Sequence, residues 1–182
     1  MDKTEAYRAL EAAARERILI LDGSTGVLIQ SFALPEEAFR AGPLAGHGQS
    51  LKGDIDALCL SSPEVVMRVH RSYLEAGADI IKTNSFAATR IAQADYGLEA
   101  RAADIARESA VLARRAADEF SARRPSKRRF VAGSIGPTTK SLSVSLDPSD
   151  PARRSATFEE MALAYREEAE ALIDGGADIL LV

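Results

Sequence analysis

The chain has 182 residues, of which 46% are hydrophobic and 27% are charged, and its formal net charge is −4. This composition is typical of one globular domain, and it offers no basic surplus for binding nucleic acid. No apolar run approaches the roughly 20 residues that span a membrane. The single cysteine, Cys59, excludes an internal disulfide framework and is typical of a cytoplasmic protein.

The first part of the chain predicts a helix, a strand and a long loop. Residues 1–17 are Ala-rich and charged, which predicts an N-terminal helix, and the apolar run ILILD at 18–22 predicts a short strand. Residues 32–61 are interrupted by glycine and proline, so we expect a loop outside the core. Ser62, Pro63 and Gly77 then fit the N-cap, the first turn and the end of a helix that precedes the strand ADIIKTN.

The second part predicts two more helix–strand pairs. A helical stretch runs from about 88 to 122 with a break near Gly97. The basic connector RRPSKRR at 123–129 permits a phosphate or nucleic-acid site, but the absence of interleaved aromatic residues favours a simple turn before the strand FVAGS. Thr157 and Glu160 predict a capping box at the start of the next helix, which leads to the strand ADILLV.

A repeated pattern indicates how these elements assemble. EAGADIIKTN at 75–84 and GGADILLV at 175–182 share glycine, alanine and aspartate before an apolar run, which is typical of a helix followed by a buried parallel strand. A doubly wound sheet would favour a G-x-G-x-x-G turn, and DGSTGV is not one. A (β/α)8 TIM barrel needs about 250 residues. We therefore expect residues 18–182 to supply β/α units one to four of a barrel, ending within strand four.

Polar and glycine residues follow three of the predicted strands. They occur at 22–26 (DGSTG), 82–86 (KTNSF) and 133–138 (GSIGPT). In a barrel these carboxyl ends meet on one rim, where the active site lies. Free N–H groups of a glycine-rich turn can hold a carboxylate, and an aspartate can hold an ammonium, so the rim suits an amino-acid ligand. Each turn taken alone is also consistent with simple helix capping.

Several long motifs resemble one known family. ILILDGSTGVLIQ, HRSYLEAGADIIKTNSFAATRIAQADYGLE, VAGSIGPTTKSLSVSLDPSDPARRSATFEEMALAYRE and GGADILLV are similar, in this order, to the homocysteine-binding domain of cobalamin-dependent methionine synthase. The stretch DPSDPARRSATFEEMALAYRE favours this branch over the betaine-dependent methyltransferases of the same fold. The resemblance implies a TIM-barrel methyltransferase in which zinc binds the homocysteine thiolate and cobalamin on another domain carries the methyl group.

The resemblance also implies a role for individual residues. Asp22 matches the residue that holds the substrate ammonium, and the N–H groups of Thr25 and Gly26 match those that receive its carboxylate. The residues that we expect to contact homocysteine are Asp22, Gly23, Ser24, Thr25, Gly26, Thr83, Asn84 and Gly136.

The metal ligands and the catalytic residues are expected elsewhere. The zinc cysteines of the family lie on later strands, and neither Cys59, His47 nor His70 matches one of them. We therefore predict no metal ligand and no catalytic residue among these 182 residues, and no tight zinc binding by them alone, because a catalytic zinc needs three protein ligands.

Lys82 departs from the family pattern, which often has an acidic or apolar residue there. A lysine at a strand end can form a Schiff base, as in class I aldolases, but an ion pair with Asp22 or Asp79 is the favoured interpretation.

Three hypotheses about function remain open at this point. The chain is part of a homocysteine methyltransferase, or a non-catalytic half that needs a partner chain, or a lysine-dependent aldolase. The expected partners are homocysteine, the other half of the barrel, cobalamin and folate domains, or a second copy of the chain. A half barrel exposes strand edges and inner apolar side chains, which some such partner has to cover.

Overall fold

A computed structural model describes residues 3–143, 145, 149–150 and 154–182. The helices of these residues are α1 (Lys3–Glu16), α2 (Thr25–Ser31), α3 (Glu36–Phe39), α4 (Leu58–Ser61), α5 (Pro63–Glu75), α6 (Arg90–Gln93), α7 (Ala102–Arg123) and α8 (Phe158–Asp174). Short 3-10 turns occur at Gly42–Leu44, Ala94–Tyr96 and Glu99–Arg101. The strands are β1 (Ile80–Lys82), β2 (Phe130–Ser134) and β3 (Ile179–Leu181). None of the helices in this described part is long and apolar enough to cross a membrane.

The strands form a parallel sheet in the order β1-β2-β3, so neighbours in sequence are neighbours in space. Ile80 aligns with Phe130, and Ala132 aligns with Ile179. Each crossover contains a helix, and α5, α7 and α8 pack on one side of the sheet. The chain therefore has an α/β fold with a partial parallel sheet, which is open within the described residues, as we expect when only the first units of a barrel are present.

The predicted first strand at 18–22 is present only as an extended segment beside β1. Leu21 makes an isolated parallel bridge with Ile80, and the Asp22 N–H donates to the Ile80 carbonyl at 2.9 Å. Ile18 is 84% exposed and Ile20 is 54% exposed, which agrees with the expectation that a half barrel leaves its inner apolar side chains uncovered. No described element covers the face onto which these side chains point, so the apolar run remains in contact with solvent.

The prediction of a loop outside the core for residues 32–61 is wrong. Phe39, Leu44, Leu51 and Leu58 are buried in the main core cluster. Glycines supply the turns that this path needs, with Gly53 at a φ of +106°. The glycine content therefore marked sharp turns in a compact segment, and not an excursion into solvent.

Most of the predicted helix boundaries agree with the structure. Thr157 and Glu160 form the predicted capping box, and Gly97 breaks the long helical stretch with a φ of +67°. Ser62 is at the N-cap position, but its hydroxyl donates to the Ala38 carbonyl at 2.7 Å instead of accepting a helical N–H. It thereby ties α5 to α3.

The aspartates of the two repeated Gly-Ala-Asp triplets, Asp79 and Asp178, which we call the GAD aspartates, explain the repeated pattern. The Asp79 carboxylate accepts the N–H of Ile20 at 3.0 Å, and the Asp178 carboxylate accepts the N–H of Val131 at 2.8 Å. Asp79 therefore joins the start of β1 to the segment 18–22, and Asp178 joins the start of β3 to β2.

The basic connector lies at the same end of the sheet as these aspartates. Lys127 donates to the Gly77 carbonyl and forms an ion pair with Asp79, and Arg129 donates to the Ala78 carbonyl. These contacts confirm that the connector is a turn before β2. They also hold the side chains of Lys127 and Arg129 against the protein.

Candidate functional site

A cleft of about 270 Å³ lies at the carboxyl ends of the first strands. It is lined by Ser24, Thr25, Gly26, Ile55, Asp56, Lys82, Thr83, Asn84, Ser85, Phe86 and Ser134. Five of the eight predicted contact residues are in this set. Asp22 and Gly23 lie beside the cleft, where both accept hydrogen bonds from the Lys82 ammonium, and Gly136 packs behind Phe86. The structure thus brings the turns after three strands to one place, as parallel strands require.

The turn after residues 18–22 leads directly into α2. The Ser24 hydroxyl accepts the Val27 N–H at 3.3 Å, and the Tyr73 hydroxyl donates to the Ser24 carbonyl at 3.0 Å. A Cβ on Gly23 would approach the Tyr73 hydroxyl to 2.9 Å, so the turn needs glycine for close packing. Thr25 and Gly26 occupy the first turn of α2, where N–H groups have no partner within the helix.

Asp22 and Lys82 form a close ion pair at the edge of the cleft. The Lys82 Nζ donates to Asp22 Oδ1 at 2.6 Å, and the Lys82 backbone N–H donates to Asp22 Oδ2 at 3.0 Å. Burial raises the pKa of the Asp22 carboxyl, and the hydrogen bonds from Lys82 oppose that rise. The preference for an ion pair at Lys82 is confirmed, and Asp22 is the partner.

Thr83 and its neighbours connect the ends of β1 and β2. The Thr83 hydroxyl accepts the Ser134 N–H at 2.8 Å, and the Ser85 hydroxyl donates to the Ser134 carbonyl at 2.7 Å. The Asn84 amide donates to the Ile55 carbonyl at 2.7 Å, which fixes the compact 32–61 segment against the rim. These side chains shape the cleft as well as line it.

Gly136 serves close packing at the far side of the cleft. A Cβ at this position would collide with the carbonyl oxygen and the ring of Phe86. The Tyr165 hydroxyl donates to the Gly136 carbonyl at 3.2 Å. Gly136 therefore positions Phe86, whose side chain is 58% exposed at the cleft wall.

Asp56 is a cleft residue that was not predicted from the sequence, because it lies in the segment 32–61 that we expected to be a loop. Its carboxylate accepts the Ala87 N–H at 2.6 Å, and burial raises its pKa to about 7. Two further carboxyl groups are near: Asp54 shares this segment, and Glu168 comes from α8. The letters KGDID contained the signal, because two acids beside apolar residues within a core segment have to be buried or paired.

The described residues do not fit the zinc ion that the resemblance implies. Among them no group of three or more His, Cys, Asp or Glu side chains is arranged to hold a metal. The Cys59 thiol is buried and donates to the Asn84 carbonyl at 3.4 Å, and burial raises its pKa, which disfavours a thiolate. His47 bonds the Tyr96 carbonyl at 2.7 Å, while His70 lies in the core on α5.

Comparison with known proteins gives one family and one group of solved structures. The family model described as homocysteine S-methyltransferase matches residues 19–182. The Escherichia coli homocysteine methyltransferase MmuM is similar in its metallated form, with 29% identity and a TM-score of 0.68, and in its oxidized form, with 30% identity and the same TM-score. Each alignment covers 94% of this chain and 55% of that chain. The apo form gives 27% identity and a TM-score of 0.56. This chain thus spans about half the length of those proteins.

Proposed function

The chain belongs to the homocysteine S-methyltransferase family, and from that premise we propose that its cleft binds the amino-acid end of homocysteine in an enzyme that forms methionine. The observation that carries this proposal is the pairing of two opposite kinds of group at one rim. Thr25 and Gly26 line the cleft in the first turn of α2, where backbone N–H groups have no partner within the helix, and a buried aspartate, Asp22, lies beside the cleft. A zwitterionic amino acid needs both.

In this arrangement the substrate carboxylate lies at the start of α2, where the N–H groups of Thr25 and Gly26 donate to it. Its ammonium lies towards Asp22 and the carbonyls of the same turn. Asn84 and Thr83 form the wall on the second strand, and Phe86 contacts the apolar part of the ligand. The side chain of homocysteine then extends away from the sheet edge that these residues form.

Activation of the thiol needs groups other than the described ones. A free thiol with a pKa of about 8.5 is mostly protonated at neutral pH and is a weak nucleophile. We propose that zinc and a cobalamin-carried methyl group, both implied by the resemblance to methionine synthase, serve the complete enzyme, with ligands and domains other than the residues described. Part of the motif that favours this branch, residues 147–148 and 151–153, lies outside the described residues.

The same reasoning predicts that the 182 residues alone are inactive. They would act together with the remaining part of a barrel and with cobalamin and folate domains, or with another copy of the chain. The aldolase hypothesis loses support, because the Lys82 Nζ forms an ion pair with the Asp22 carboxylate. Borohydride reduction in the presence of small aldehydes should leave Lys82 unmodified.

Substitution of Thr25 by proline tests the carboxylate site. Thr25 is the first residue of α2 and follows an extended residue, so proline is tolerated there but removes one N–H. We expect the full-length enzyme with Thr25→Pro to show a KM for homocysteine raised about tenfold, the loss of one charge-assisted hydrogen bond. Methionine formation should be assayed with methylcobalamin and, separately, with a methylated sulfonium donor.

Thr25→Ala is the matched control, because it removes the hydroxyl and keeps the N–H. Its KM should stay within about twofold of the native value. Equal KM values for the proline, alanine and native enzymes would place the carboxylate elsewhere. Activity with the sulfonium donor alone would contradict the cobalamin part of the proposal.

A further inference from the structure

The Lys82 ammonium lies in a set of oxygens that matches its own donors. Nζ is 2.6 Å from Asp22 Oδ1, 3.0 Å from the Gly23 carbonyl oxygen and 3.1 Å from the Asp22 carbonyl oxygen. A primary ammonium has three N–H donors and no acceptor. These oxygens, which we call the ammonium cage, therefore satisfy one alkylammonium completely.

Lys82 stands between the cage and the cleft. The Asp22 side chain has no exposed surface, whereas 23% of the Lys82 side chain is exposed and lines the cleft. The second carboxylate oxygen of Asp22 is occupied by the backbone N–H of Lys82 at 3.0 Å. A ligand that enters the cleft consequently meets a cation at this position, and the carboxylate lies behind it.

We propose that Lys82 is a tethered occupant of the substrate's ammonium subsite, so that an amino acid binds there only when its ammonium displaces Nζ. The inference rests on the proposed function, because it takes the ammonium of homocysteine to Asp22. Two ammonium groups cannot share the cage, since one set of acceptors satisfies only one of them and the charges repel. The four-carbon stem of Lys82 is flexible, and its partial exposure leaves it a path into the cleft.

Displacement lowers the apparent affinity for the substrate. When the competent state is only a fraction of the population, the apparent Kd is the intrinsic Kd divided by that fraction. With the cage open for a tenth of the time or less, removal of the Lys82 side chain tightens homocysteine binding by about tenfold or more. A ligand that lacks the ammonium gains nothing, so 4-mercaptobutyrate is the matched control ligand.

The experiment uses the full-length protein with Lys82→Ala. The atoms that this substitution removes correspond to n-propylammonium, which should refill the cage and raise the unfolding temperature of the variant. Tetramethylammonium at the same concentration has no N–H donor and should not. The native protein and Lys52→Ala, a control at an exposed lysine, should not respond to either cation. Calorimetric titration should show tighter binding of homocysteine, and unchanged binding of 4-mercaptobutyrate, in Lys82→Ala.

The outcomes separate this inference from the proposed function. Equal effects of the two cations on Lys82→Ala overturn the cage, whatever homocysteine does. Unchanged or weaker homocysteine binding in Lys82→Ala, with a cage that n-propylammonium refills, also overturns the inference, and weaker binding assigns Lys82 to the substrate carboxylate. If homocysteine binds none of the proteins, the proposed function fails instead. Lys82→Gln, which keeps a neutral donor beside Asp22, provides a second variant should the alanine variant not fold, and it should also bind homocysteine more tightly.

Discussion

His70 is a buried titratable side chain without a hydrogen-bond partner among the described residues. It has no exposed surface, and burial lowers its pKa to about 4. A histidine with a depressed folded pKa stabilises the fold above its unfolded pKa of about 6.5, and that stability is lost as the pH falls towards 4. We expect the native protein to lose about 2–3 kcal/mol more than His70→Leu between pH 7 and pH 4.5.

Urea unfolding of the two proteins at both pH values measures this difference. The other titrating groups are common to both, so their contributions cancel in the comparison. Parallel loss of stability in the native protein and in His70→Leu would mean that the imidazole is paired or hydrated in the folded protein.

Glu168 on α8 has the opposite dependence on pH. It is buried, its carboxyl oxygens have no hydrogen-bond partner among the described residues, and burial followed by the charge of Asp56 raises its pKa to about 8. A carboxyl group with a raised folded pKa contributes its full stability below about pH 4.5, and this is lost as the pH rises to about 8. Glu168→Gln should therefore be more stable than the native protein at pH 9, by on the order of 5 kcal/mol.

At pH 5 both side chains are neutral in the folded state, so the gain should be small there. Glu170→Gln, at an exposed position on the same helix, is the control and should change little at either pH. Thermal unfolding at pH 5 and pH 9 makes the comparison. An equal gain at both values would point to helix propensity, and not to the removal of a buried charge.

At the scale of elements, the GAD aspartates hold the start of the sheet together. Burial raises the pKa of Asp79, yet hydrogen bonds from Arg17, the Ile20 N–H and Lys127 outweigh it and hold the pKa at about 2. The buried Arg129 guanidinium is 3.3 Å from the same carboxylate. Removing the carboxylate leaves these cations, Arg129 above all, without their counter-charge.

We expect Asp79→Ala to lower the free energy of unfolding by about 3–5 kcal/mol, the cost of breaking a buried ion pair from one side. Asp104→Ala removes a carboxylate from an exposed pair with Arg101 and should cost less than about 1 kcal/mol. Urea titrations of both variants provide the test. Similar small losses would show that solvent screens the charges around Asp79 in the same way.

The elements that could be predicted are those with a local signal. The GAD pattern, the Thr157–Glu160 box and Gly97 act within a few residues, and the predicted elements at these positions are present. Residues 18–22 show the limit: an apolar run predicts a strand, but its burial depends on what lies across from it. The prediction for residues 32–61 was wrong because glycine frequency indicates turns and does not indicate distance from the core.

The candidate site could be predicted from the sequence only in part. Polar residues after parallel strands predict a shared rim, and the cleft is there. The Lys82 ammonium reaches the Asp22 carboxylate because of the spacing between two neighbouring strands, and no local sequence pattern encodes that spacing. Asp56 was missed because its segment was taken for a loop. The roles of the eight predicted contact residues in substrate binding stay predictions.

For the whole molecule, the most consequential feature is the uncovered side of the sheet. Ile18, Ile20 and Leu21 are exposed at one edge, and Leu180 and Leu181 are exposed at the other. Each fully buried side chain of this size is worth about 1.5–3 kcal/mol, which is large against a total stability of about 5–15 kcal/mol. This chain also spans about half the length of the MmuM structures.

We therefore expect a polypeptide of these 182 residues alone to self-associate, because unpaired strand edges and exposed apolar side chains recruit other strands. Light scattering at micromolar concentration should give a mass above the 19.5 kDa of one chain. Charged residues at the two edges, in the pair Ile20→Lys and Leu181→Lys, should reduce the association, whereas Lys52→Ala should not. A monodisperse 19.5 kDa species that unfolds cooperatively would show that the open sheet is stable without a covering partner.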